Sequence, residues 1–229
     1  GGCYPGGIDT HGGRGWVVSN NRFEGIYCTN GGLAEHAIHF WRRSRDTVIE
    51  NNTIINCARG IGLGLIKDDP GDPRRYPDEP YPEINGYIDH LGGLVRNNVI
   101  WNAIDWYDTG IGIVNTRGAV VVHNTVVSDP TQTSKFFSSL DYRFPLTKVH
   151  MQNNLVRRIT RRGDAQGDLV ANFEDPPLEY FFDAAAADLH LTPMAVQAID
   201  AGIAHPAAGP DIDGQQRTTT PDLGADELP

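Results

Sequence analysis

The sequence predicts an all-β fold, a right-handed single-stranded parallel β-helix of about five coils with a C-terminal cap. Three observations carry this expectation. A short asparagine-centred pattern recurs along the chain. Two apolar columns keep a fixed distance from it. Gly (26 of 229 residues) and Pro (15) favour many turns over long helices.

The pattern reads WVVSNNRFEG (16–25), TVIENNTIIN (47–56), GLVRNNVIWN (93–102), AVVVHNTVVS (119–128) and VHMQNNLVRR (149–158). Aligned without gaps, the second position of the pair is Asn21, Asn52, Asn98, Asn124 and Asn154, and the first is Asn20, Asn51, Asn97, His123 and Asn153. Two residues before the pair lie Val18, Ile49, Val95, Val121 and Met151. Three after its first member lie Phe23, Ile54, Ile100, Val126 and Val156. Each segment therefore reads as strand, tight turn, strand, with the column Ser19, Glu50, Arg96, Val122 and Gln152 facing outward. Stacked coils lie about 4.8 Å apart. An inward Asn then meets its counterpart above and below, and the amides satisfy one another along the stack.

A third strand precedes each repeat, at 7–11, 37–42, 60–66, 110–115 and 138–143. Between the second and third repeats a charged, Pro-rich stretch from about 67 to 90 is an insertion, placed as a lid or wall beside the coils. Residues 1–187 form the coils and 188–229 a last strand and the cap, whose acidic tail closes the end of the stack. A chain starting inside a coil exposes an unpaired edge, so either further coils precede it or self-association covers it.

The net charge of −10 argues against a duplex nucleic-acid partner, which requires a basic footprint. No apolar run is long enough for a membrane span. Cys3, Cys28 and Cys57 lack metal-site spacing. A Cys3–Cys28 bridge and a pair of buried thiols are both open, and Cys57 reads as a small core residue.

The repeated NN turns, the tail AIDAG (198–202) with DIDGQQRTTTPDLGADEL (211–228), and EHAIHFWRRSRDTVIENN (35–52) with ARGIGLGL (58–65) resemble bacterial right-handed parallel β-helix repeat proteins of the pectate-lyase-like superfamily. The resemblance implies an exported, extracellular or cell-surface protein that binds or cleaves polysaccharide. The alternative is a non-catalytic structural or adhesive module, because one scaffold hosts many functions.

On a coil, chemistry belongs to an outer strand face. Counting back from the repeat puts Ile8, His39, Ile111 and Asp141 in one row, within a one-residue shift. The same face gathers Asp9, His11, His39, Asp141 and Arg143, with Trp41 and Tyr142 beside them and glycines between. For β-elimination at a uronate, His39 is the expected base. Asp9 and Asp141 orient it or hold calcium, and Arg143 clamps the carboxylate. For hydrolysis, the two Asp carboxyls act as a pair. Trp41 and Tyr142 offer faces to a sugar, and His90, with Tyr87, returns from the insertion toward the groove. Each also has a plainer reading: a hydrogen-bonded histidine, an Asp141–Arg143 ion pair, a Trp41 packed under the insertion. The tail sequence DxDG resembles the opening of a calcium loop but has Gln215 and Asp222 where ligands belong, so it reads better as the cap.

Overall fold

The structure is a computed structural model that describes residues 3–30, 32–65, 76, 78, 81–84, 88–131 and 138–229. Much of the insertion, Tyr87 included, lies outside the described residues. The chain is built from short strands laid in three long parallel sheets.

The first sheet takes β1 (Ile8–Thr10), β4 (His36–Phe40), β8 (Arg59–Leu63), β12 (Thr109–Val114), β15 (Ser138–Arg143) and β18 (Ile159–Arg162). The second takes β2 (Val17–Ser19), β6 (Val48–Glu50), β10 (Leu94–Arg96), β13 (Thr116–Val122), β16 (Lys148–Gln152) and β19 (Gln166–Val170), with β5 (Ser44–Arg45) and β9 (His90–Leu91) paired at its side. The third takes β3 (Arg22–Glu24), β7 (Thr53–Ile55), β11 (Val99–Asn102), β14 (Thr125–Ser128), β17 (Leu155–Val156) and β20 (Phe173–Glu174). The chain visits the sheets in the same order on every pass. This arrangement is compatible with a parallel β-helix.

Both apolar columns of the repeat enter one core. Val18, Ile49, Val95, Val121 and Met151 meet Ile54, Ile100, Val126 and Val156 there, with Phe23 packed at its end. Full burial of such a side chain contributes about 1.5–3 kcal/mol.

The two members of each asparagine pair do different work. The first holds positive φ: Asn20 (58°), Asn51 (54°), Asn97 (52°), His123 (53°) and Asn153 (56°). Asn pays less than most residues for this left-handed conformation, because its short polar side chain bonds locally. The second forms the ladder. Nδ2 of Asn21, Asn52, Asn98 and Asn124 donates to Oδ1 of the next rung at 3.1, 3.0, 2.9 and 3.0 Å. Asn154 continues it to Asn172 at 2.8 Å. That sixth rung belongs to the pass β18–β19–β20, which the repeat search does not reach because Ala171, at φ 47°, stands where the first Asn belongs.

The C-terminal segment is not a plug at the end of the stack. Tyr180, Phe181, Leu189, Leu191, Ala195, Ala198, Leu223 and Ala225 cover Ile55, Val99, Trp101, Val127 and Leu155 on the outer side of the third sheet. An antiparallel pair, β21 (Phe181–Asp183) and β22 (Asp188–Leu191), lies within this cover. The tail then runs back along the asparagine turns. Gln152 Nε2 donates to the Ile203 carbonyl at 2.6 Å, Arg96 Nη1 to Ala207 at 2.8 Å and Asn97 Nδ2 to Ala208 at 2.9 Å. This explains why Val122 and Gln152, expected outside, are buried.

Candidate functional site

With the third sheet covered, the outer face of the first sheet is the place to look for the expected residues. Its register puts Asp9, His39, Gly62, Gly112, Asp141 and Thr160 in one row. Ile8 and Ile111 therefore leave the counted row, and Asp9 and Gly112 replace them. The neighbouring positions Ile38, Phe40, Ile61, Leu63, Ile111, Ile113, Leu140 and Tyr142 point into the core. Tyr142 is thus a core side chain and no sugar platform, because a one-residue slip along a strand exchanges inside for outside.

One end of the row carries a cluster of rings. His36 and His39 lie 4.2 Å apart between centroids, Trp41 sits 4.4 Å from His39, and His11 stacks on Trp41 at 5.1 Å and 18°. Gly62 makes room for it: a Cβ there would stand 2.8 Å from His36 Nε2 and 2.9 Å from His39 Cδ2. Glu35 is the hub. Its Oε1 accepts the His36 backbone N–H at 2.8 Å, meets His36 Nδ1 and lies 3.0 Å from His39 Nδ1, while Tyr4 donates its hydroxyl to Oε2 at 2.6 Å. Burial pushes the Glu35 carboxyl up. The bonds from His36, His39 and Tyr4 outweigh it and hold the group well below the usual carboxylate range. Burial also depresses His36 to about 3, against the pull of Glu35, so that imidazole is neutral. The bond to Glu35 raises the Tyr4 phenol.

His39 is fully buried within this cluster, so it does not present the expected base to a substrate. The exposed imidazole is that of His11. Asp9 is one-third exposed, its Oδ1 4.0 Å from His39 Nδ1. A cavity of about 250 Å³ beside the rings is lined by His11, Gly12, Arg42 and Arg43.

The other end of the row is separate. Asp141 is buried with its carboxylate divided between Arg143 Nε at 2.7 Å and Arg162 Nε at 2.6 Å. The plainer ion-pair reading of Asp141 and Arg143 holds, and Arg162 joins it. Asp141 stands three strand spacings from His39, about 14 Å, and four from Asp9, about 19 Å. Paired glycosidase carboxyls work at about 5–9.5 Å, so Asp9 and Asp141 cannot flank one glycosidic bond. Nor can they share a calcium ion, whose oxygen ligands lie at about 2.3–2.6 Å.

The tail offers no calcium loop either. Asp211 Oδ1 accepts the N–H groups of Asp213 (3.0 Å) and Gln215 (2.7 Å), and its Oδ2 that of Glu227 (3.1 Å). Asp222 accepts those of Asp200 and Leu228, at 2.7 and 2.8 Å. These carboxylates fasten the tail to itself.

His90 lies on β9, in the second sheet. It is buried, with Nε2 3.0 Å from Thr47 Oγ1, and does not join the ring cluster. The described part of the insertion also sits on that side: Asp78 pairs with Arg45, and Arg117 lies 5.2 Å over the Tyr81 ring. The expected lid or wall, residues 67–90, lies for the most part outside the described residues. Tyr81 helps line a second cavity, of about 350 Å³, with Arg117, Lys148, His150 and Asp168.

Sequence reasoning missed Glu35 and His36. Their signal was present in EHAIH, but strict alternation puts positions 36 and 39 on opposite faces. The alternation breaks at Ala37, where Ala37 and Ile38 both face the core. Cys3 and Cys28 form a disulfide, which settles the two open readings of that pair, and Cys57 is free and buried.

No protein-family model matches this chain, and neither do curated proteins or solved structures.

Proposed function

We propose that this chain is an exported right-handed parallel β-helix of stacked coils that binds and cleaves an acidic polysaccharide by elimination at the His11 pocket. The observation that carries this reading is the cavity that brings one exposed imidazole, His11, together with two arginines, Arg42 and Arg43. Elimination needs those two functions. A base takes the proton beside a uronate carboxylate, and a fixed cation neutralises the charge that develops there as the neighbouring glycosidic C–O bond breaks. Guanidinium suits the second task because it holds a carboxylate bidentately. The Trp41 ring stacked on His11 fixes the imidazole against the sheet. The Cys3–Cys28 disulfide supports an oxidising compartment outside the cytoplasm.

The test is incubation with a panel of uronate polymers and neutral glycans, followed by the ultraviolet absorbance of unsaturated ends. Product is expected from an acidic polymer alone, and His11→Ala is expected to slow its release about 100-fold or more. Absence of both product and retention on every acidic polymer, in folded protein, would refute the reading.

A further inference from the structure

The ring cluster turns one buried histidine nitrogen toward two carboxylates. His39 Nε2 lies 3.1 Å from the Gly64 carbonyl, a group that only accepts, so Nε2 carries the proton. Nδ1 is left to meet the carboxylates, through a proton or a metal ion. It faces Glu35 Oε1 at 3.0 Å and Asp9 Oδ1 at 4.0 Å. Nδ1 is fully buried.

We propose that Glu35, His36 and His39 bind a divalent transition metal of the zinc class, with Asp9 beside the remaining coordination position. One ligand atom from each of the three residues lies within 4.8 Å of the others. A tetrahedral zinc ion with ligands at about 2.0–2.2 Å requires them about 3.3 Å apart, so small side-chain adjustments close the site. Two imidazoles and one carboxylate select such a metal over calcium or magnesium, which take oxygen.

The surroundings match those of a metal site. A ligating histidine characteristically donates its other ring N–H to a carbonyl or carboxylate, as His39 does to Gly64. Tyr4 orients the Glu35 carboxylate through Oε2, and the Cys3–Cys28 bridge tethers the segment that carries Tyr4. Tyr4 is a positioning residue here. The inference does not depend on the polysaccharide reading, because it concerns binding alone.

The experiment strips the intact chain with a chelator, then titrates it with Co²⁺ and Zn²⁺ while following visible absorption and heat. One metal per chain is expected, with Co²⁺ bands of a four- or five-coordinate nitrogen-containing site. Glu35→Gln and His36→Asn should weaken binding by more than about 100-fold, and Tyr4→Phe by about 10-fold. His190→Ala, in the separate tail cluster with Asp213 and Asp226, should leave it unchanged. Substoichiometric binding, equal binding by Glu35→Gln, or loss through His190→Ala overturns the proposal. If the buried variants fail to fold, X-ray absorption of the metal-loaded natural chain decides: two imidazole shells support it, and oxygen neighbours alone refute it. A ¹⁵N spectrum with both His39 nitrogens protonated in excess Zn²⁺ also refutes it.

Discussion

Asn98 shows what one ladder amide carries. Its Nδ2 donates to Asn124 Oδ1 and to the carbonyls of Ile49 and Arg96, while its Oδ1 accepts from the backbone and side-chain amides of Asn52. Truncation strands several of these buried groups at once, and each unmet group costs about 1–3 kcal/mol. Asn98→Ala is therefore expected to lower stability by about 3 kcal/mol or more. Asn21, an exposed end rung, should lose less than about 1 kcal/mol on the same change. Urea titrations of the two variants check this, and equal losses would show that the rungs do not support one another. The turn position before the rung follows a different rule. Ala171 occupies the left-handed region without an amide to stabilise it, so Ala171→Asn should gain about 0.5–1 kcal/mol in the same titration.

At the scale of elements, the tail depends on a buried cation. Arg217 Nη2 donates to Asn97 Oδ1 at 2.9 Å and to the Gly224 and Ala225 carbonyls, and Nη1 pairs with Glu227 at 3.1 Å. Glu227 in turn accepts the N–H groups of Thr218 and Asp222. Removing one partner of such a pair leaves a buried charge and typically costs about 3–5 kcal/mol. Arg217→Ala should accordingly release residues 211–228, read as faster amide exchange at Leu223 and Gly224, while the amides of β6 and β10 stay protected. Loss of protection across all three sheets would instead make the tail part of the cooperative core. This packing was not legible in the sequence, because DIDG and GADE carry acids whose partners are backbone N–H groups of the tail together with the Arg217 and His190 side chains, and nothing in spacing reveals that. The strands were legible, because two apolar columns and one amide column repeat together. The first-sheet face was half legible. His11, Asp9 and His39 do share one end, but the break at Ala37 hid Glu35 and His36, and counting alone could not reveal the distance from Asp9 to Asp141.

For the whole molecule, acid sensitivity follows from histidines folded away as neutral rings. Burial depresses His123 to about 3, with Arg217 adding to the effect and His205 nearby. Burial also depresses His90 to about 3, against the weaker pull of Asp46 and with His39 opposing its charge. With His36, likewise depressed by burial to about 3, three groups have folded values below the unfolded value of about 6.5. Between those limits the unfolded chain binds protons that the folded chain refuses, so stability falls as pH drops from about 6.5 toward 3. Each histidine contributes a slope of about 1.4 kcal/mol per pH unit, about 4 kcal/mol for the three, against a total stability of about 5–15 kcal/mol for typical domains. The stack is thus expected to lose a large share of its stability between pH 6.5 and 5. His123 stands where the other repeats carry the first asparagine, with its Nε2 2.8 Å from Asn153 Nδ2. His123→Asn keeps a residue suited to that turn and removes one titrating ring. Urea midpoints measured at pH 7.5 and 5.5 should differ by about two-thirds as much in this variant as in the natural chain. An unchanged difference would assign the acid response to groups other than this buried ring.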